Sequence, residues 1–407
     1  MNVRGRAADI VVAGHICLDI IPALPSHPEG LSQLISPGKL VEIGPASLST
    51  GGAVANTGLA LRRLGFGTRL MGKIGDDAFG RSIRECLDAY GEGASDGMIV
   101  SAGESSSYTI VISPPGIDRI FLHATGTNDT FAASDVPAEA LAGVRLFHFG
   151  YPPLMRGMYE REGEELVRLL GAAKAAGATV SLDMARPDPA SDAGRADWRG
   201  ILARTLPIVD VFLPSLEEIL FMLRPDTYRE LAARSGGEEL IGMADGPLLS
   251  SLAEELLGMG VAVAGIKLGE HGLYVRTTGD AARLQAMGAC APNGDALAGW
   301  LGRELLAPCF TVDVAGTTGA GDCTIAGLLG GLASGQPLER ALLSAVGTGA
   351  CNVERADAVS GIPRWEALQR RIDARWPQRA PGLALPGWTQ AADGGLWSGP
   401  RQGTDKL

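Results

Sequence analysis

Gly316-Thr317-Thr318-Gly319-Ala320-Gly321-Asp322 is the stretch on which the reading of this chain turns. Phe310-Thr311-Val312-Asp313-Val314 reads as a strand leading into it, and residues 322–333 have helical periodicity. Residues this small let a backbone approach an anion closely. Their N–H groups then sit at the positive end of the next helix. Asp322 falls at the helix start and points into the same space. A carboxylate beside an anion hole is odd for anion binding alone, because like charges repel. It makes sense where the carboxylate takes a proton from a nucleophilic hydroxyl while amides stabilise a transferring group. A Gly-rich turn with an Asp cap is the plainer alternative. The whole seven-residue segment in a strand–helix setting favours a site. No Gly-Lys-Ser/Thr follows, so this is not a Walker A loop. It lies near the far end of the fold rather than after the first strand, so it is not a dinucleotide fingerprint.

Working outward, short apolar runs at 9–14, 144–149, 178–183, 208–213 and 261–267 read as buried strands. Helical patterns lie between and after them, notably over 53–64, 160–176, 250–258, 322–333 and 337–354. Such alternation predicts an α/β fold with a mostly parallel sheet and helices on both faces. One region differs. Residues 107–113 and 119–123 look like paired strands joined by Pro114-Pro115-Gly116, and 17–24 and 38–43 read as further strands. Together they predict a small antiparallel sheet lying over one edge as a lid. Residues 277–308 read as an irregular insertion. Residues 9–375 are expected to form the main domain and 376–407 a Pro/Gly-rich tail. That tail carries Trp376, Trp388 and Trp397, three of six tryptophans, so part of it is expected to pack on the body or on a partner subunit.

Of 407 residues, 46% are hydrophobic and only 5% aromatic, which predicts a large aliphatic core and rules out wholesale disorder. The net charge of −11 argues against nucleic acid and against an anionic membrane surface as partners. It leaves room for a phosphate-bearing ligand held by amides and a metal ion. The six cysteines form no CxxC pair and the five histidines are dispersed, so spacing predicts neither a disulfide framework nor a metal cluster. Scattered thiols fit a reducing cytoplasm. No run of 18 apolar residues predicts a membrane span.

Two further segments carry polar chemistry. In Gly51-Gly52-Ala53-Val54-Ala55-Asn56 a glycine pair opens a helix, and Asn56 in its first turn can both donate and accept hydrogen bonds. That suits a polyhydroxylated ligand; small residues for helix–sheet packing explain it equally well. Asp19 in Gly14-His15-Ile16-Cys17-Leu18-Asp19 lies just past the first strand, at the end of a parallel sheet where ligands bind. It can accept two sugar hydroxyls, or it is a surface turn residue.

These three segments together resemble the ribokinase-like (PfkB) family of carbohydrate and nucleoside kinases. Further matches run in the family's order: Gly72-Lys73-Ile74-Gly75-Asp76-Asp77-Ala78-Phe79-Gly80, Gly126-Thr127-Asn128, and Lys267-Leu268-Gly269-Glu270-His271-Gly272. The resemblance covers about residues 9–365. It implies a ribokinase-like three-layer αβα domain with a β lid, and ATP with Mg2+ as cofactors. It implies Asp322 as catalytic base and the amides of Gly319, Ala320 and Gly321 as the hole for the transferred phosphoryl group. Asp19, Gly51, Gly52 and Asn56 are implied as sugar contacts. Ser215, Lys267, Gly269, Gly272 and Thr317 are implied on the nucleotide side, and Glu218 on magnesium through water. The open edge of such a lid sheet also favours a homodimer formed through it.

Departures from the pattern matter. Ser215 in Leu213-Pro214-Ser215-Leu216-Glu217-Glu218 stands where the family usually has Asn, which predicts weakened nucleotide contact. Gly316 replaces the usual Asp, and Asp357 stands where Gly is common. Both argue against a monovalent-cation site, with Asp313 the remaining nearby acid. Lys39 is the only Lys or Arg between Gly14 and Asn56, which favours an unphosphorylated sugar, sugar acid or nucleoside. Arg186 either meets a substrate carboxylate or makes a surface ion pair. The rival expectation is a binding or sensor protein that keeps the fold with weakened turnover.

Overall fold

The computed structural model describes residues 8–25, 37–114, 120–236, 240–392 and 394–401. Its strands in chain order are β1 (Ile10–Gly14), β2 (Cys17–Pro22), β3 (Ala46–Gly51), β4 (Thr68–Met71), β5 (Lys73–Gly75), β6 (Ile99–Ser101), β7 (Tyr108–Ile112) and β8 (Ile120–Ala124). These are followed by β9 (Leu146–Gly150), β10 (Thr179–Asp183), β11 (Val211–Phe212), β12 (Val263–Lys267), β13 (Leu273–Thr277), β14 (Glu304–Ala307), β15 (Thr389–Gln390) and β16 (Trp397–Ser398).

Strands buried at every position, rich in Val, Ile, Leu and Phe, put β1, β9 and β10 inside a ten-stranded sheet, away from its edges. From β4 through β1, β9, β10 and β11 to β12 every pairing is parallel, and helices cover both faces. Burial of each such aliphatic side chain contributes about 1.5–3 kcal/mol, so two continuous cores, one on each face, dominate the favourable side of folding. Beyond β12 the sheet turns antiparallel through β13, β14, β16 and β15.

The tail is where those last strands come from. Trp388 is buried against Tyr274, with ring centroids 5.9 Å apart. Trp376 stacks on Phe310 at 4.4 Å, and the Arg371 guanidinium lies 3.5 Å over its ring. The described part of the tail thus packs onto the body, as its tryptophan content predicted.

The lid is a four-stranded sheet in the order β3-β2-β7-β8. Its two outer pairings are antiparallel and the central β2–β7 pairing is parallel. The strand expected at 38–43 is not one. Leu40 and Ile43 are exposed there, and the strand is instead Ala46–Gly51, which pairs residue by residue with β2. Apolar alternation marked the wrong segment because pairing with β2, not side-chain pattern, selects this strand. Pro115 and Gly116 of the expected lid turn lie outside the described residues. Phe310–Val314 also forms no strand; it is extended, with a single bridge from Phe310 to Gln378.

One buried group makes stability pH-dependent. His148 on β9 is fully buried, with Nδ1 3.1 Å from Ser181 Oγ. Burial, then the nearby charge of Lys267, lowers its pKa from 6.5 to about 3. Between those values the unfolded chain binds one more proton than the folded one. The contribution is therefore intact above pH 6.5 and is lost as pH falls toward 3. Lowering pH from 7.5 to 5 is expected to cost about 2 kcal/mol through this residue. Urea unfolding of His148→Gln at both pH values checks it. An unchanged pH slope in the variant contradicts the assignment.

Candidate active site

The loop read first from the sequence closes over the middle of the sheet's C-terminal edge. Gly319 takes a left-handed conformation (φ 73°) that favours glycine, and this turns the chain into the helix Ala320–Ala333. Asp322, in the first turn, is 4% exposed, yet its carboxylate sits in a polar setting. Asn56 Nδ2 donates to it at 2.9 Å, and the Tyr151 hydroxyl lies 2.9 and 2.8 Å from its two oxygens. Thr57 Oγ1 adds a 3.3 Å contact. The helix Ala53–Leu64 brings Asn56 and Thr57 here because Gly52 (φ 92°) turns it sharply inward. A Cβ at Gly51 would lie 2.4 Å from Asp19 Oδ2, so only glycine lets that carboxylate stand against β3.

Asp19, Gly51, Gly52, Asn56 and Asp322 all line one cavity of about 740 Å³, together with Tyr151, Thr109, His15, Cys17 and His123. Burial raises the Asp19 carboxyl above its usual range, and hydrogen bonds from Cys17 and Thr109 partly oppose that. A second cavity, of about 220 Å³, contains Lys267, Gly269, Gly272, Thr317 and Gly321, walled by Phe310, Val346 and Val353. Thr317 borders both cavities, so the 316–322 loop lies between them.

Ser215 has a local structural role. It caps the helix Leu216–Leu223: its Oγ accepts from Glu218 N at 3.3 Å while Glu218 Oε2 accepts from Ser215 N at 2.6 Å. Neither residue lines the small cavity. Gly272 borders the cavity, but the reason for glycine there is internal: a Cβ would lie 2.0 Å from the Ala307 carbonyl oxygen. Ala320 N–H makes a long 3.3 Å turn bond to Thr317 O. Arg186 bonds Glu217 at 3.1 Å and the Tyr228 hydroxyl at 2.8 Å, the ion-pair outcome, while still bordering the large cavity. Asp357 accepts from Val359 N, Ser360 N and Ser360 Oγ within its own turn.

Tyr151 was not among the candidates read from the sequence, Asp183 was read only as edging the site, and Lys267 was placed on the nucleotide side without its partners. Tyr151 follows β9 in a left-handed conformation (φ 67°) that aims its hydroxyl at Asp322. Asp183 ends β10, fully buried, and Lys267 ends β12. Lys267 Nζ lies 2.5 Å from Asp183 Oδ1 and 4.0 Å from Glu218 Oε2. All three sit at or just past the C-terminal ends of buried strands, the positional signal that could have found them. Burial pushes the Lys267 ammonium down, but Asp183 and Glu218 outweigh it and hold it charged, above the usual lysine range.

Residues 7–365 match the pfkB family carbohydrate kinase model. The chain belongs to this family of carbohydrate kinases. It is 26% identical over 307 residues to an uncharacterised sugar kinase of Archaeoglobus fulgidus, covering 75% of this chain and 99% of that protein. It is 23% identical over 396 residues to the probable chloroplastic fructokinase-6 of Arabidopsis thaliana, covering 91% and 86%. The fold matches an Arabidopsis thaliana ribokinase solved with ribose and ATP, with a TM-score of 0.65 at 17% identity over 90% of this chain and 98% of that one. It also matches a putative ribokinase II of E. coli solved with ATP and Mg2+, with a TM-score of 0.65 at 19% identity over 90% and 99%. The α/β architecture with a separate lid is therefore that of the ribokinase-like kinases. Among the described residues no helix is long and apolar enough to cross a membrane.

Proposed function

We propose that this pfkB-family kinase transfers the terminal phosphoryl group of ATP to an alcohol of an unphosphorylated sugar, sugar acid or nucleoside. The observation that carries the proposal is the partition of the pocket: the glycine loop lies between two cavities, with Asp322 on the larger side and Gly321 on the smaller. In this reading the acceptor occupies the larger cavity. Asp19 and Asn56 bind its hydroxyls, and Asp322 removes the proton of the attacking one. The acceptor takes over the hydrogen bond that Tyr151 now gives to Asp322. The nucleotide occupies the smaller cavity, its base against Phe310, Val346 and Val353. The amides of Gly319, Ala320 and Gly321 meet the negative charge that spreads over the transferred group.

The residues present also fit a magnesium ion. Asp183 Oδ2 is buried without a hydrogen-bond partner, and Glu218 stands beside it, both hard oxygen donors. Those two carboxylates would hold the ion, Glu218 through water, and it would supply charge neutralisation of the phosphates. Lys267 supplies a fixed positive charge at the same place.

The charge of the larger cavity supports an acceptor without phosphate. Among the described residues, Asp19, Asp129, Asp188 and Asp322 line it against one cation, Arg186, which is already paired. The exposed Leu48, Ile120 and Leu122 share the lid face turned away from the cavity and are the apolar surface a second copy would cover.

The test is ADP release with ATP, Mg2+ and a panel of pentoses, ketohexoses, sugar acids and nucleosides. At least one acceptor is expected to raise release well above the water blank, and phosphorylated analogues are expected to fail. Nucleotide binding with no acceptor-dependent release across the panel would favour the sensor reading instead.

A further inference from the structure

His15, Cys17 and His123 are dispersed in sequence, yet the lid's register brings them to one spot. His15 lies in the turn between β1 and β2, Cys17 opens β2, and His123 lies on β8 at the lid's outer edge. Asp19 stands opposite Thr109, and Thr109 opposite His123, across three neighbouring strands. Cys17 is two residues from Asp19, so it shares that face. The His15 and His123 Nε2 atoms are 3.2 Å apart, and with Cys17 Sγ all three atoms lie within 4.8 Å of one another. Metal bonds of about 2.0–2.3 Å in a tetrahedral N2S set put donors roughly 3.3–3.8 Å apart, so a small movement of Cys17 completes the geometry. Thr109 Oγ1 lies 2.9 Å from His123 Nδ1 and fixes that ring from behind, as outer partners of metal-bound histidines do.

We propose that His15, Cys17 and His123 form a site for a thiophilic divalent cation of the Zn2+ class, which latches lid strand β8 to the body and obstructs the acceptor cavity. Two imidazoles and a thiolate select such an ion over Mg2+, which prefers oxygen. On binding, two metal–nitrogen bonds and one metal–sulfur bond form, and the Cys17 thiol proton passes to the buffer. The fourth position opens on the cavity beside Asp19, whose Oδ1 is 3.3 Å from Cys17 Sγ. The site itself stands on geometry alone. Only its inhibitory consequence rests on the acceptor assignment above.

The first readout needs no turnover. The full chain, reduced and stripped with a chelator, is titrated with Co2+ and then with Zn2+. The expected result is one Co2+ per chain, with visible bands of four-coordinate cobalt and a near-ultraviolet thiolate-to-cobalt band, all removed by Zn2+. Cys17→Ser should lose the near-ultraviolet band. His123→Gln, altered at the exposed edge of the lid and therefore able to fold, should weaken binding by more than the about 10–100-fold typical of losing an outer partner. A wild-type chain without the band, or a Cys17→Ser chain that keeps it, overturns the site. The second readout is kinase activity with excess Mg2+ and ATP. Zn2+ should inhibit competitively with the acceptor, and much less in His123→Gln. Equal inhibition of both proteins would overturn the latch. Cobalt bands in a chain that turns over no acceptor would leave the metal site standing and remove the acceptor reading.

Discussion

Replacing Asp322 with Asn is expected to lower kcat by about 10²–10⁴-fold, the usual contribution of a positioned general base, with nucleotide affinity nearly unchanged. The amide has the shape of the carboxylate, so its neighbours keep partners. Asn56 Nδ2 can still donate to the side-chain oxygen, and the Tyr151 hydroxyl can donate to that oxygen or accept from the new NH2 group. What disappears is the negative charge and the ability to hold the acceptor's proton. Steady-state ADP release, with nucleotide binding by calorimetry, separates the two effects. A variant that binds nucleotide and turns over at a tenth of the wild-type rate or faster would remove Asp322 from the role of base.

Lys267→Met is expected to affect stability and turnover together. Lys267 is the ion-pair partner of Asp183 and stands beside Glu218, and both carboxylates are largely or wholly shielded from water. Removing the cation leaves buried negative charge uncompensated, which typically costs about 3–5 kcal/mol. Its ammonium also stands at the glycine loop: a Cβ built on Gly321 would lie 3.9 Å from Nζ. Loss of such a preorganised positive group is expected to reduce kcat by about 10²–10³-fold. The double variant Lys267→Met/Asp183→Asn, set against Asp183→Asn alone because Asp183 is itself placed on magnesium, separates the effects. It removes the orphaned charge and should recover most of the stability, measured by urea unfolding, without recovering turnover. Recovery of both would make Lys267 a structural counter-ion only. Full activity in the single variant would remove it from the nucleotide side altogether.

These two residues show unequal legibility. Asp322 was readable because its setting is contiguous: the glycine turn and the helix start fall within seven residues, and local backbone rules govern both, although the strand expected before them is absent. Asp19, Gly51, Gly52 and Asn56 were readable as candidates for the same reason, Asp19 a few residues past the end of β1 and the others where β3 ends and a helix opens. Their convergence on Asp322 was not readable. The Asn56–Asp322 and Tyr151–Asp322 bonds join residues 266 and 171 positions apart. Ser215 was assigned by its place in a family pattern, and the structure adds a local role: Glu218 three residues on makes a reciprocal helix cap with it, a preference visible in the same six letters. The lid strand was misplaced because Ala46–Gly51 is poor in strand-forming side chains and takes its conformation from its neighbour β2.

The order of apolar runs and glycine turns along the chain determined by itself a parallel sheet, a lid and a glycine-rich loop with an acid in the first turn of the helix that follows. Each depends on periodicity or backbone conformation over a few adjacent residues. Only the tertiary structure decided which charges meet. Lys267 lies between Asp183 and Glu218, Tyr151 faces Asp322, and His15 meets His123 because the parallel order β1-β9-β10-β11-β12 and the lid register bring those strand ends together. Side-chain electrostatics depend on distance through space, and a linear sequence does not carry that distance until the sheet is assembled.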